Sequence, residues 1–128
     1  MSSYTLIGLM SGTSMDGLDI ALCHFHYNDD GWKYELRSTQ TRPYPPTLLS
    51  TLQGAKSLST TKILELDKLL GAFFAESVLD FIHEKEINRT SIDAIASHGH
   101  TVYHQPERGF TLQIGCGDTL STKTGIPV

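Results

Sequence analysis

Residues Tyr4–Phe25 read as two apolar strands on either side of a turn crowded with Ser, Gly, Thr and Asp, and this arrangement constrains the fold more than any other feature. Tyr4–Met10 is rich in strand formers. Leu18–Phe25 alternates, with Leu18, Ile20, Leu22 and His24 on one face and Asp19, Ala21, Cys23 and Phe25 on the other. Asn28-Asp29-Asp30-Gly31 is a turn signal, and Trp32–Thr41 follows as a third strand with Trp32, Tyr34 and Leu36 on one face. Short turns between three strands predict an antiparallel meander.

Pro43, Pro45 and Pro46 end that pattern. Pro46 suits the first position of a short helix through Gln53, closed by Gly54. Ile63, Leu66, Leu70, Phe73, Phe74, Val78, Phe81 and Ile82 recur every three or four residues, the apolar stripe of a long helix, with Asn88 as its stop. Ile92–Ala96 and Phe110–Ile114 read as short strands, and Asp118–Lys123 as a helical turn or two ending at Gly125. The fold class is therefore α/β, a mixed sheet with an antiparallel three-strand start and helices packed on it. The order matches a ribonuclease-H-like core of the actin-type ATPase and sugar kinase kind, an analogy of fold alone. The chain stops at Ile126-Pro127-Val128, where an apolar strand is due to begin; the expectation is one lobe, residues 1–128, of a longer two-lobed protein.

Composition narrows the partners. With 39% apolar and 19% charged residues the chain is an ordinary globular one. Its net charge of −4 and lack of a Lys/Arg cluster argue against nucleic acid. No apolar run approaches the ~20 residues of a membrane span. The N-terminus has no basic region ahead of its apolar stretch, so no secretory signal is read. Cys23 and Cys116 form no CxxC pair and suit a reducing cytoplasm.

Three segments could carry chemistry. In the first turn, Gly12 and Gly17 let backbone N–H groups approach a phosphate, Ser11, Thr13 and Ser14 add hydroxyls, and Asp16 and Asp19 are hard oxygen ligands for Mg²⁺. Gly12 and Gly17 have the outer spacing of a P-loop, but Leu18-Asp19 stands where Lys-Ser/Thr is required, and a strand follows, so a Walker loop is ruled out. A hairpin-type phosphate loop and a plain hairpin turn both remain. The second segment is Ser97-His98-Gly99-His100-Thr101, followed by Tyr103-His104, at the C-terminal end of a strand. Two histidines two apart on a strand share a face, which would suit a metal with His104 as third ligand. However, no carboxylate lies nearby, and Gly99 favours a turn there. Recognition of a sugar through imidazole and hydroxyl groups is the other functional reading, and plain polar loop residues the structural one. In the third segment, Thr111–Gly115, Gln113 would need a partner if buried, and Gly117-Asp118 opens a helix whose N-terminus could face an anion. His24, His26 and His83 carry no functional reading.

Taken together, Gly8-Leu9-Met10-Ser11-Gly12-Thr13-Ser14-Met15-Asp16-Gly17-Leu18-Asp19, Ser97–Pro106 and Thr111–Gly115 resemble the anhydro-N-acetylmuramic acid kinases of bacteria, from Gly8 to Val128. The resemblance implies an actin-like ATPase fold of two lobes, and use of ATP and Mg²⁺ to open the 1,6-anhydro ring with water and phosphorylate the freed 6-hydroxyl during peptidoglycan recycling. It implies that Gly12, Thr13, Ser14, Met15, Asp16, Gly17, Leu18 and Asp19 form the ATP loop, with Asp16 as the Mg²⁺ ligand. Ser97, His98, Gly99, His100 and Thr101 would line the sugar side. The expected partners are these small molecules, in the cytoplasm, with a homodimer of the whole protein left open. Two residues depart from the family pattern. His100 stands where the family usually has Gln, and Cys116 where an acidic or polar residue is expected. The family's general base, an Asp of an Asp-Phe-Arg segment, is expected beyond Val128, so no catalytic residue is assigned within the chain and the lobe alone is expected to be inactive. The alternatives are a metal-dependent hydrolase using His98, His100 and His104, and a non-catalytic actin-like interaction module.

Overall fold

A computed structural model describes residues 2–12 and 14–128. Three strands come first: β1 (Ser2–Ser11), β2 (Leu18–Asn28) and β3 (Gly31–Arg42). Helices α1 (Pro46–Gln53) and α2 (Thr60–Glu84) follow, then β4 (Ala94–Gln105), β5 (Phe110–Ile114) and α3 (Gly117–Thr124). One sheet holds all five strands in the order β3-β2-β1-β4-β5. Only the β1–β4 pairing is parallel, so the sheet is mixed, with the expected antiparallel start. Among the described residues no helix is long and apolar enough to cross a membrane.

The alternation of β1 and β2 sends Ile7, Leu9, Leu18, Ile20 and Leu22 to the helix-covered face, where each is buried. Helix α2 lays Leu66, Leu70, Phe74, Val78 and Phe81 into the same core. Its start is capped by Ser59, whose side chain accepts from the Lys62 N–H at 3.3 Å. Gly71 lets α2 meet the start of α3, because a Cβ there would lie 2.6 Å from the Cys116 carbonyl oxygen. Asp67 secures the same junction: its carboxylate accepts from Gly115 N–H at 2.8 Å and its carbonyl from Cys116 N–H at 3.0 Å.

Two expectations change. The fourth strand does not stop at Ala96 or turn at Gly99; it runs to Gln105. Pairing with β1 on one side and β5 on the other carries it through, and Gly99, at φ +75°, takes up one extra residue as a bulge. The last residues, 126–128, form no strand. Instead Ile126 is buried and the Pro127 carbonyl accepts from Ile95 N–H at 2.8 Å.

Candidate functional site

The residues expected to form a phosphate loop lie at the C-terminal end of β1, where the chain turns back into β2. Met15 N–H donates to the Gly12 carbonyl at 3.1 Å, closing the turn, and Met15 itself is left-handed at φ +56°. Its side chain packs on the core rather than projecting from the loop. Ser14 Oγ donates to Asp16 Oδ1 at 2.7 Å, and Thr41 Oγ1 on β3 donates to Asp19 Oδ1 at 2.5 Å. Both carboxylates are thus oriented by hydroxyls. Gly17, at φ +152°, passes so close to the Arg42 carbonyl that a side chain has no room. Leu18 is wholly buried, so its backbone is what faces the loop. Thr13 lies outside the described residues.

Ser11, at the base of the loop, is buried and hydrogen-bonded to two groups from distant segments. One is the Tyr44 hydroxyl, and the other is His100 Nδ1 at 2.9 Å. Burial lowers the His100 pKa below the usual imidazole value. Burial likewise raises the Tyr44 pKa; the carboxylates of Asp16 and Asp19 add to this, while the Ser11 bond opposes it. At neutral pH both side chains are therefore uncharged.

The bulge at Gly99 divides the second segment. His98 stays on the exposed face, where Gln113 Nε2 lies 3.2 Å from its Nε2 and donates to Thr101 Oγ1 at 3.4 Å. His100 pairs with buried Ile114 and faces the helices. The two histidines therefore do not share a face, contrary to the expectation from their spacing. His104 is engaged by Thr111 Oγ1 at 2.9 Å. Among the described residues no group of three or more His, Cys, Asp or Glu is placed to hold a metal. Ser97 and His98 instead line a cleft of about 710 Å³ on the uncovered sheet face, shared with Met10, Asp19 and Thr41. Ser97 pairs with Leu9 and so turns its side chain to the helix-covered face, where its hydroxyl is buried without a partner among the described residues; its backbone is what borders the cleft. His100 and Thr101 border a separate cavity of about 270 Å³ beside Met15 and Lys56.

The anhydro-N-acetylmuramic acid kinase family model matches residues 4–128. The chain belongs to the anhydro-N-acetylmuramic acid kinase family. It is 45% identical to the curated anhydro-N-acetylmuramic acid kinase of Shewanella loihica, across 100% of this chain and 35% of that protein. It is 39% identical to that of Sulfurimonas denitrificans, across 95% of this chain and 33% of that protein. The chain thus spans about a third of the length of these relatives.

Within this kinase-family chain, the structural roles of two groups are not legible in the sequence. Tyr44 lies in a proline-rich break with no local signal of a role, although a tyrosine between Pro43 and Pro45 is held in an extended segment and can reach inward. Cys116, which departs from the family pattern, caps α3: its Sγ accepts from Thr119 N–H at 3.4 Å and from Lys68 Nζ at 3.3 Å.

Proposed function

We propose that this chain is the N-terminal, phosphate-loop lobe of a two-lobed sugar kinase of the actin-like ATPase fold. The reaction opens 1,6-anhydro-N-acetylmuramic acid with water and phosphorylates the freed 6-hydroxyl, giving N-acetylmuramic acid 6-phosphate. The observation that carries this reading is the loop after β1: glycine-bearing and closed on itself, with two carboxylates oriented by hydroxyls, in a chain of this kinase family.

The donor set fits a magnesium nucleotide. Mg²⁺ takes one or two carboxylates together with phosphate oxygens, and Asp16 and Asp19 are such ligands. When bound, Mg-ATP supplies the phosphoryl group to be transferred. The chain's own contribution is positional, which suits phosphoryl transfer, a reaction governed by placement and charge stabilisation. Gly12 and Gly17 leave loop N–H groups open to phosphate oxygens, and Ser14 holds Asp16 in place. His100 and Thr101, which border the cavity of about 270 Å³, serve the sugar, and the general base comes from outside this chain. Use of ATP places the reaction in the cytoplasm.

The test is an assay for the 6-phosphate with a polypeptide of the relatives' length that carries this chain. ATP-dependent product is expected, and its absence would overturn the reading. Asp16→Asn should raise the KM for Mg-ATP while leaving the thermal midpoint nearly unchanged. Unaltered kinetics would remove Asp16 from the metal site.

A further inference from the structure

His100 is 1% exposed, yet it is among the residues that line the cavity of about 270 Å³ between the loop and the end of α1. One ring nitrogen, Nδ1, is bonded to Ser11. The other, Nε2, has no partner among the described residues. The cavity's polar lining includes Gln53, Lys56 and His104, and its apolar lining includes Met15, Leu52 and Val102. Its volume equals roughly nine waters, enough for a single sugar ring but not for a nucleotide.

The Tyr44–Ser11–His100 chain assigns the ring proton. Tyr44 and Ser11 each bring one hydroxyl proton. If Nδ1 were protonated it would donate to Ser11, and either the Ser11 or the Tyr44 proton would then lack an acceptor in a buried place, a costly arrangement. With a bare Nδ1, Tyr44 donates to Ser11 and Ser11 donates to Nδ1, and both hydroxyl protons are used. The ring proton then sits on Nε2, the atom without a partner.

We propose that His100 is a specificity-determining residue that presents an Nε2–H donor to an oxygen of the sugar acceptor in this cavity, with its tautomer set by Tyr44 and Ser11. This rests on the kinase reading above. It also joins the two halves of the site, because the hydroxyl that orients His100 belongs to the residue on which the phosphate loop begins. A glutamine could do both jobs, accepting from Ser11 through its carbonyl and donating from its amide. A leucine could do neither.

The experiment compares His100→Gln and His100→Leu in the two-lobed protein, with anhydro-N-acetylmuramic acid and Mg-ATP as substrates. His100→Leu should raise the sugar KM about tenfold, the loss of one hydrogen bond, and His100→Gln should stay within about threefold of the parent. An unchanged sugar KM in folded His100→Leu would overturn the proposal, as would a glutamine variant no better than leucine. If the leucine variant does not fold, nitrogen-15 NMR of the parent protein decides: His100 should show a bare Nδ1 and a protonated Nε2, and the reverse would overturn the proposal. Absence of turnover by the parent protein would sink the kinase reading, while the NMR result would still stand on its own.

Discussion

The Arg42 carbonyl fills the space that a side chain on Gly17 would need; a Cβ at Gly17 would fall 2.8 Å from the Arg42 carbonyl carbon. The end of β3 therefore braces the loop between β1 and β2. Arg42 is itself held to α2, with its guanidinium 3.3 Å from Asp80 and 2.9 Å from Glu84. The loop is thus braced indirectly against the long helix.

Gly17→Ala should force the loop away from Arg42. A strained backbone position of this kind costs about 1–3 kcal/mol. The thermal midpoint should fall, and binding of a non-hydrolysable ATP analogue should weaken. Parent-like stability and binding would mean that β3 yields and the brace is not rigid.

Ser11→Ala and Tyr44→Phe should differ. The first leaves both Tyr44 and His100 without their partner in a buried place and should cost about 1–3 kcal/mol. The second removes only the outer donor of the chain and should cost about 1 kcal/mol or less. Urea unfolding of the two variants measures the difference.

Acid should destabilise the protein through His100. Its folded pKa lies below the usual imidazole value, so the unfolded chain binds the proton more readily. The stability this provides is present above pH ~6.5 and is lost as pH falls toward the folded pKa. Urea midpoints between pH 5 and 7.5 should fall more steeply for the parent than for His100→Gln. Equal slopes would mean that burial does not hold His100 neutral.

Cys116 should alkylate faster than Cys23. Hydrogen bonds from Thr119 lower its pKa first, and the ammonium of Lys68 adds to this. Iodoacetamide labelling read by mass spectrometry should favour Cys116, and Lys68→Met should narrow the gap.

Elements governed by local rules were legible in the sequence. The α2 stripe, the Pro46 start and Gly54 end of α1, the Asn28–Gly31 turn and β5 all lie where periodicity and turn chemistry put them. The length of β4 was not legible, because its continuation past Gly99 depends on partners from both ends of the chain. The surroundings of the loop were likewise hidden. Ser11, Tyr44 and His100 are up to 89 residues apart, and no local pattern announces that they meet. The pairing of Gln113 with His98 and Thr101 answers the question its polarity raised, on an exposed face rather than a buried one.

The bulge at Gly99 acts as a phase marker for β4. Before it, the strand's inward beat falls on Ile95; after it, on His100 and Val102. Deleting Gly99 would restore strict alternation and leave His98 outward and His100 inward; straightening the strand with residue 99 kept would instead put His100 out beside His98 and leave Ser11 with Tyr44 alone. One glycine thus lets a single strand address both sides of the sheet, with the nearer histidine turned to one compartment and the farther to the other.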